Sequence, residues 1–119
     1  VDAWALDSIE SCDWLLLCTG QSEKWGSEEY FGTEPLFTEA FVKAAARIAR
    51  KGIGLDCSGL DREGVALHRL WFSSGGGLMV ENLTDLEILL SESQILFAAY
   101  PLKLAAGDGA PVRAVAVLG

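Results

Sequence analysis

Leu67-His68-Arg69-Leu70-Trp71-Phe72-Ser73-Ser74-Gly75-Gly76-Gly77-Leu78-Met79-Val80-Glu81-Asn82-Leu83 is the stretch on which the reading of this chain turns. Its first half is apolar and of helical length, and it carries the single histidine, His68. Three consecutive glycines cannot extend a helix, and a glycine accepts the left-handed backbone that ends one. Leu78 to Val80 then reads as a strand that delivers Glu81 and Asn82 at its carboxyl end. Helix, glycine stop, strand and acidic tip together bring an imidazole and a carboxylate into one pocket.

Ser73-Ser74-Gly75-Gly76-Gly77 also invites reading as a phosphate cradle. Phosphate loops run from a strand into a helix, so that the first helical N–H groups face the anion. Here the order is reversed, and the glycines read as a stop.

Outward from this stretch, Trp14-Leu15-Leu16-Leu17-Cys18 is an apolar run without alternation, as expected of a strand covered on both faces. Gln21 to Phe37 is polar and aromatic, with glycines and Pro35. It predicts a long ordered loop of the kind that lines binding sites. Thr38 to Lys51 reads as a helix: Thr38 as N-cap, Glu39 in the first turn, and Phe41, Ala44, Ala45, Ile48 and Ala49 as its apolar stripe. Arg47, Arg50 and Lys51 fall in the expected last turn, with Gly52 as its left-handed stop. Ile53 to Leu55 closes a strand–helix–strand unit, which predicts a parallel pair with ligands collecting at the carboxyl ends. Asp56, Cys57 and Ser58 occupy that position.

After the decisive stretch, Thr84 is expected to cap a short acidic helix to Leu90. Gln94 to Tyr100 reads as a strand ended or bent by Pro101, Gly107-Asp108-Gly109 as a turn, and Val112 to Leu118 as a last strand. Residues 1–11 loosely match one helical face, with Trp4, Leu6 and Ile9.

The 119 residues make a single domain, residues 1–119, able to bury roughly two thirds of its unfolded surface. Half the residues are hydrophobic and 22% are charged, a balance that predicts either a deep core or apolar surface meant for another chain. The net charge of −8 excludes nucleic acid as a partner, because phosphate binding needs clustered basic residues. No apolar run approaches the roughly 20 residues that span a bilayer, so no membrane role is expected. The odd number of cysteines, Cys12, Cys18 and Cys57, reads as reduced, buried thiols of a cytoplasmic protein. The chain opens on Val1 and moves at once into amphipathic sequence, which reads as a processed or incomplete polypeptide.

For chemistry, His68 stands open between metal ligand, general base and satisfied core histidine. Glu81 favours function, since a carboxylate ending an apolar strand needs a cation, a metal or several hydrogen bonds. Asp56 and Asp61 add acids near another strand end, where turn formation or helix capping around Gly59 would also explain them. A nucleophilic Cys57 beside His68 lacks any visible oxyanion or orienting group. One histidine with a few carboxylates does not make a three-ligand catalytic zinc site by itself.

Trp14-Leu-Leu-Leu-Cys-Thr-Gly20, Gly54-Leu-Asp56, His68-Arg69-Leu70, Val80-Glu-Asn-Leu83, Pro101-Leu-Lys-Leu104 and Gly107-Asp-Gly-Ala-Pro-Val-Arg-Ala114 fall in one order. Together they resemble the carboxy-terminal half of the cyclase-like metal-dependent hydrolases, the family of bacterial kynurenine formamidase and isatin hydrolase. The resemblance implies an α/β fold of the swivelling β/β/α type, a mixed sheet with flanking helices, incomplete at the amino terminus. It also implies metal-assisted hydrolysis of an amide or lactam C–N bond, arylformamidase-like, with zinc or manganese as cofactor. On that likeness His68 and Glu81 are metal ligands, while Asp56 and Asn82 support the pocket.

The family's H-x-G-T-H-x-D motif has no counterpart in these 119 residues, and the catalytic residue is unassigned. Cys18 stands where the family has arginine, and Gly59 where it has serine. The expectation is a chain inert alone that works with an amino-terminal half or as a homo-oligomer on a small amide or lactam. The other reading is a degenerate cyclase-fold module that binds or assembles without catalysis.

Overall fold

The computed structural model describes residues 1–119. Three parallel strands form the first sheet: β1 (Cys12–Leu17), β2 (Ala49–Leu55) and β3 (Leu78–Val80), in the order β1-β2-β3. Helix α1 (Glu39–Ile48) connects β1 to β2, and α2 (Ala66–Ser73) connects β2 to β3. Strands β4 (Ile95–Pro101) and β5 (Val112–Leu118) form a separate antiparallel ribbon. Short 3-10 helices cover Ala3–Leu6, Gln21–Lys24 and Leu86–Ser91. The expected parallel and antiparallel pairings are both present, divided between two sheets.

The alternation of side chains along β1 distributes its apolar run over two cores. Leu15 and Leu17 join the main core with Phe41, Val42, Ala45, Ile53, Leu55, Leu60 and Trp71. Trp14 and Leu16 face the opposite way, against Val80, Leu83, Leu86, Phe97 and Ala99. The Trp14 and Phe97 rings meet edge-on at 5.1 Å and tie the ribbon to the sheet. A strand covered on both faces is therefore what the unbroken apolar run encodes.

Central strand β2 is glycine-punctuated because its neighbours crowd it. A Cβ on Gly52 would stand 2.3 Å from the Leu78 carbonyl oxygen and 2.8 Å from the Trp14 ring. Gly52 is thus a strand residue and not the helix stop expected of it. Helix α1 ends at Ile48, and Ala49 passes directly into extended backbone (φ −89°, ψ 95°). Arg50 and Lys51 accordingly lie in β2, where both pair with Asp13 of β1, at 2.9 and 2.6 Å. Pairing with β1 overrode the helical pattern of the sequence. Thr38 does cap α1, its Oγ1 accepting from the Phe41 N–H at 3.1 Å, and Arg47 sits in the last turn.

Other expectations also change. Asp85, with φ +59°, precedes the 3-10 helix of Leu86–Ser91 and no side chain caps it, so Thr84 is not an N-cap. The turn between β4 and β5 falls at Ala105 and Ala106 (φ +54°), just before the Gly107-Asp108-Gly109 expected to make it. In the first eleven residues only Leu6 is buried, while Trp4 is exposed. Of the cysteines only Cys57 is buried; Cys12 is half-buried and Cys18 exposed. No helix is long and apolar enough to cross a membrane.

Candidate functional site

Because β2 and β3 are parallel neighbours, with Gly54 opposite Val80, their carboxyl ends emerge side by side. The chain leaving β3 is stitched to the chain leaving β2: the Asn82 N–H donates to the Cys57 carbonyl at 3.0 Å, and the Leu83 N–H to the Leu55 carbonyl at 2.9 Å. Glu81 is thereby fixed at the sheet edge beside the Asp56–Asp61 segment. His68 arrives from α2, whose Trp71 is fully buried and donates its indole N–H to the Gly77 carbonyl at 2.9 Å. Gly75 (φ +84°) supplies the left-handed turn after that helix, as its sequence predicts.

The result is a chain of three side chains. His68 Nε2 lies 2.9 Å from Glu81 Oε1, and His68 Nδ1 lies 2.7 Å from Asp61 Oδ2. The His68 and Glu81 side chains keep 29% and 33% of their exposure, whereas that of Asp61 keeps 5%. Burial pushes the imidazole pKa down, but the hydrogen bonds to Asp61 and Glu81 outweigh it and raise it above the ordinary value of 6.5. Burial likewise pushes the Asp61 carboxyl up, and the Leu67 N–H and the contacts with His68 more than reverse that, leaving it below the usual carboxylate range. Gly59 abuts the pair: a Cβ there would stand 2.8 Å from both Glu81 Oε1 and His68 Cε1.

Asp56 is buried, and its carboxylate is occupied by the Thr19 and Gly20 N–H groups, both at 2.8 Å, and by the Thr19 hydroxyl. It braces the turn leaving β1 and makes no hydrogen bond to His68 or Glu81. Asn82 is exposed in a left-handed conformation (φ +57°), and its Oδ1 accepts the hydroxyl of Tyr30. Tyr30 is buried in the long loop, flanked edge-on by Trp25 and Phe31. Buried Glu34 of the same loop accepts from the Gly32 N–H at 2.6 Å and pairs with Arg62. The loop expected to line a site is thus ordered and pinned on one side to Asn82 and on the other to the Asp56–Arg62 segment.

Cys57 is fully buried, and its thiol points to the Gly59 carbonyl at 3.4 Å. Burial pushes that thiol pKa up, and both ring nitrogens of His68 already face carboxylates, so the pair does not form a nucleophile–base couple.

Two groups escaped the sequence reading in their roles. Asp61, read as a strand-end acid that turn formation or helix capping would also explain, does cap α2, and its further contact with His68 Nδ1 carried no signal in the sequence. Tyr30, remote in sequence, carried no signal of its contact with Asn82.

A metal ion would find two donors here, Nε2 and Oε1, whose 2.9 Å separation places them on one point. Imidazole with carboxylate is a donor set that suits zinc or manganese. No three His, Cys, Asp or Glu side chains converge on one point, so the two donors do not by themselves make a three-ligand site.

No protein-family profile matches the chain. An uncharacterised protein of Methanocaldococcus jannaschii is 31% identical over 121 aligned positions, which cover 99% of this chain and 61% of that protein. Among solved structures, a potential metal-dependent hydrolase with cyclase activity superposes with a TM-score of 0.70 at 31% identity, over 92% of this chain and 53% of its own. A predicted metal-dependent hydrolase from Bacillus stearothermophilus gives 0.67 at 30% identity, over 92% and 52%. The chain spans about half the length of these structures. Its fold is the cyclase-like α/β fold, and these neighbours support the cyclase-like hydrolase family to which the sequence motifs point.

Proposed function

We propose that these 119 residues form the carboxy-terminal part of a metal-dependent hydrolase of the kynurenine formamidase and isatin hydrolase type, contributing His68 and Glu81 as two ligands of a zinc or manganese ion. The observation that carries this reading is the convergence of His68 Nε2 and Glu81 Oε1 at 2.9 Å, at the carboxyl ends of parallel strands. When bound, a divalent ion supplies Lewis acidity, acidifying water and polarising a carbonyl. The substrate is a small amide or lactam, and the remaining ligands come from residues outside these 119 or from a partner chain.

The chain's own residues have separable tasks in this reading. His68 and Glu81 bind. The carboxamide of exposed Asn82 has its oxygen engaged by Tyr30, which leaves its NH2 as a donor for a substrate carbonyl. Asp56 supports the pocket by holding Thr19 and Gly20 in place.

A second reading, a cyclase-fold module that assembles without catalysis, draws on the absence of a three-ligand cluster and on an exposed apolar ribbon face. Calorimetric titration with zinc and with manganese separates the two. The hydrolase reading expects saturable uptake by the protein, lost in His68→Ala. It further expects hydrolysis of an aryl formamide only when a polypeptide bearing H-x-G-T-H-x-D is added. A protein that takes up neither ion in that company would overturn it in favour of the module.

A further inference from the structure

We propose that Asp61 is a positioning residue for the His68–Glu81 pair: it keeps the ring proton on Nδ1 and so turns the Nε2 lone pair toward Glu81. This rests on the ligand reading above and adds the group that decides which nitrogen ligates.

The Asp61 carboxylate makes three polar contacts, all with one helical turn. Oδ1 takes the Leu67 N–H at 2.8 Å, while Oδ2 takes the His68 N–H at 2.9 Å and faces His68 Nδ1 at 2.7 Å. Backbone amides can only donate, so the start of α2 dictates where this carboxylate sits. Val65 at the N-cap has no capping side chain, and Asp61 supplies the cap from further upstream. The imidazole on that same turn can then meet the carboxylate only through Nδ1.

Capping alone needs the two amide contacts; the third is additional and is the shortest of the three. A neutral imidazole has a single N–H for which two carboxylates compete. Asp61 is nearer and nearly inaccessible to water, whereas a third of the Glu81 side chain is exposed. A hydrogen bond from the ring to the buried carboxylate is electrostatically the stronger, and losing it would leave a buried anion short of a donor. The proton therefore stays on Nδ1. An outer carboxylate that fixes the tautomer of a ligating histidine also raises the ring's donor strength.

Since His68 is the single histidine, 15N-histidine labelling gives one imidazole pattern in long-range 1H–15N correlation spectra. In the wild-type protein, at a pH above the ring's titration and again with zinc added, the proton is expected on Nδ1. Asp61→Asn keeps an oxygen for one of the two helix amides and removes the charge. In that variant the proton should redistribute toward Nε2 and zinc affinity should fall about 10- to 100-fold. A wild-type ring carrying its proton on Nε2 overturns the proposal without any variant, so it stays testable even if Asp61→Asn does not fold. An Asp61→Asn protein with faster α2 exchange and an unaltered tautomer also overturns it, reducing Asp61 to a cap. A wild-type proton on Nδ1 without zinc uptake supports the hold of Asp61 on the ring and overturns the ligand reading instead.

Discussion

His68 and Glu81 lie 13 positions apart in the chain, yet Nε2 of the one lies 2.9 Å from Oε1 of the other. The glycine-ended helix and the short strand between them fold back so that both side chains reach the same sheet edge. Truncating either should abolish divalent-ion uptake. His68→Ala and Glu81→Ala are each expected to weaken zinc binding by more than the roughly 10- to 100-fold that an outer-shell change costs. Calorimetry against zinc checks this, and equal affinity in both variants and wild type would remove the pair from any metal site.

Gly59 is held without a side chain by that same pair. At φ +143° its backbone conformation is one that other residues rarely adopt, and a Cβ would press on Glu81 and His68. Gly59→Ala is expected to destabilise the fold by about 1–3 kcal/mol and to weaken metal uptake as well. Urea unfolding measures the first effect and zinc titration the second.

The metal-free site should make stability depend on pH in a defined sense. The folded pKa of His68 is raised above 6.5, so its contribution is fully present below the unfolded value and is lost as pH rises through the folded one. Urea midpoints measured upward from pH 6.5 should fall more steeply in the wild type than in Glu81→Gln. Protons and metal also compete for Nε2, so zinc affinity should rise over the same interval.

One face of the β4–β5 ribbon is left to solvent. Phe97, Ala99 and Ala114 point inward, while Leu96, Tyr100, Val115 and Val117 on the alternate face are 69%, 64%, 39% and 58% exposed. Two-stranded ribbons are marginal by themselves, and apolar faces of this kind associate. Light scattering should detect oligomers of the 119-residue chain, reduced by Leu96→Lys with Val117→Lys. A wild-type monomer at all concentrations would count against association.

The sequence by itself determined the local elements wherever each carried its own signal. Thr38 announced the start of α1, Gly75 to Gly77 the end of α2, and the unbroken Trp14–Leu17 run a strand covered on both faces. It also marked His68 and Glu81 as an unusual pair. Tertiary structure decided what local pattern could not. The end of α1 was set by strand pairing, so Gly52 became a crowded strand residue, and Arg50 and Lys51 became partners of Asp13. The roles of Asp61 on His68, and of Tyr30 on Asn82, depend on contacts between segments that only packing brings together. Propensity and periodicity act over a turn or a strand, whereas a hydrogen bond between distant side chains exists only once the backbone between them has been placed.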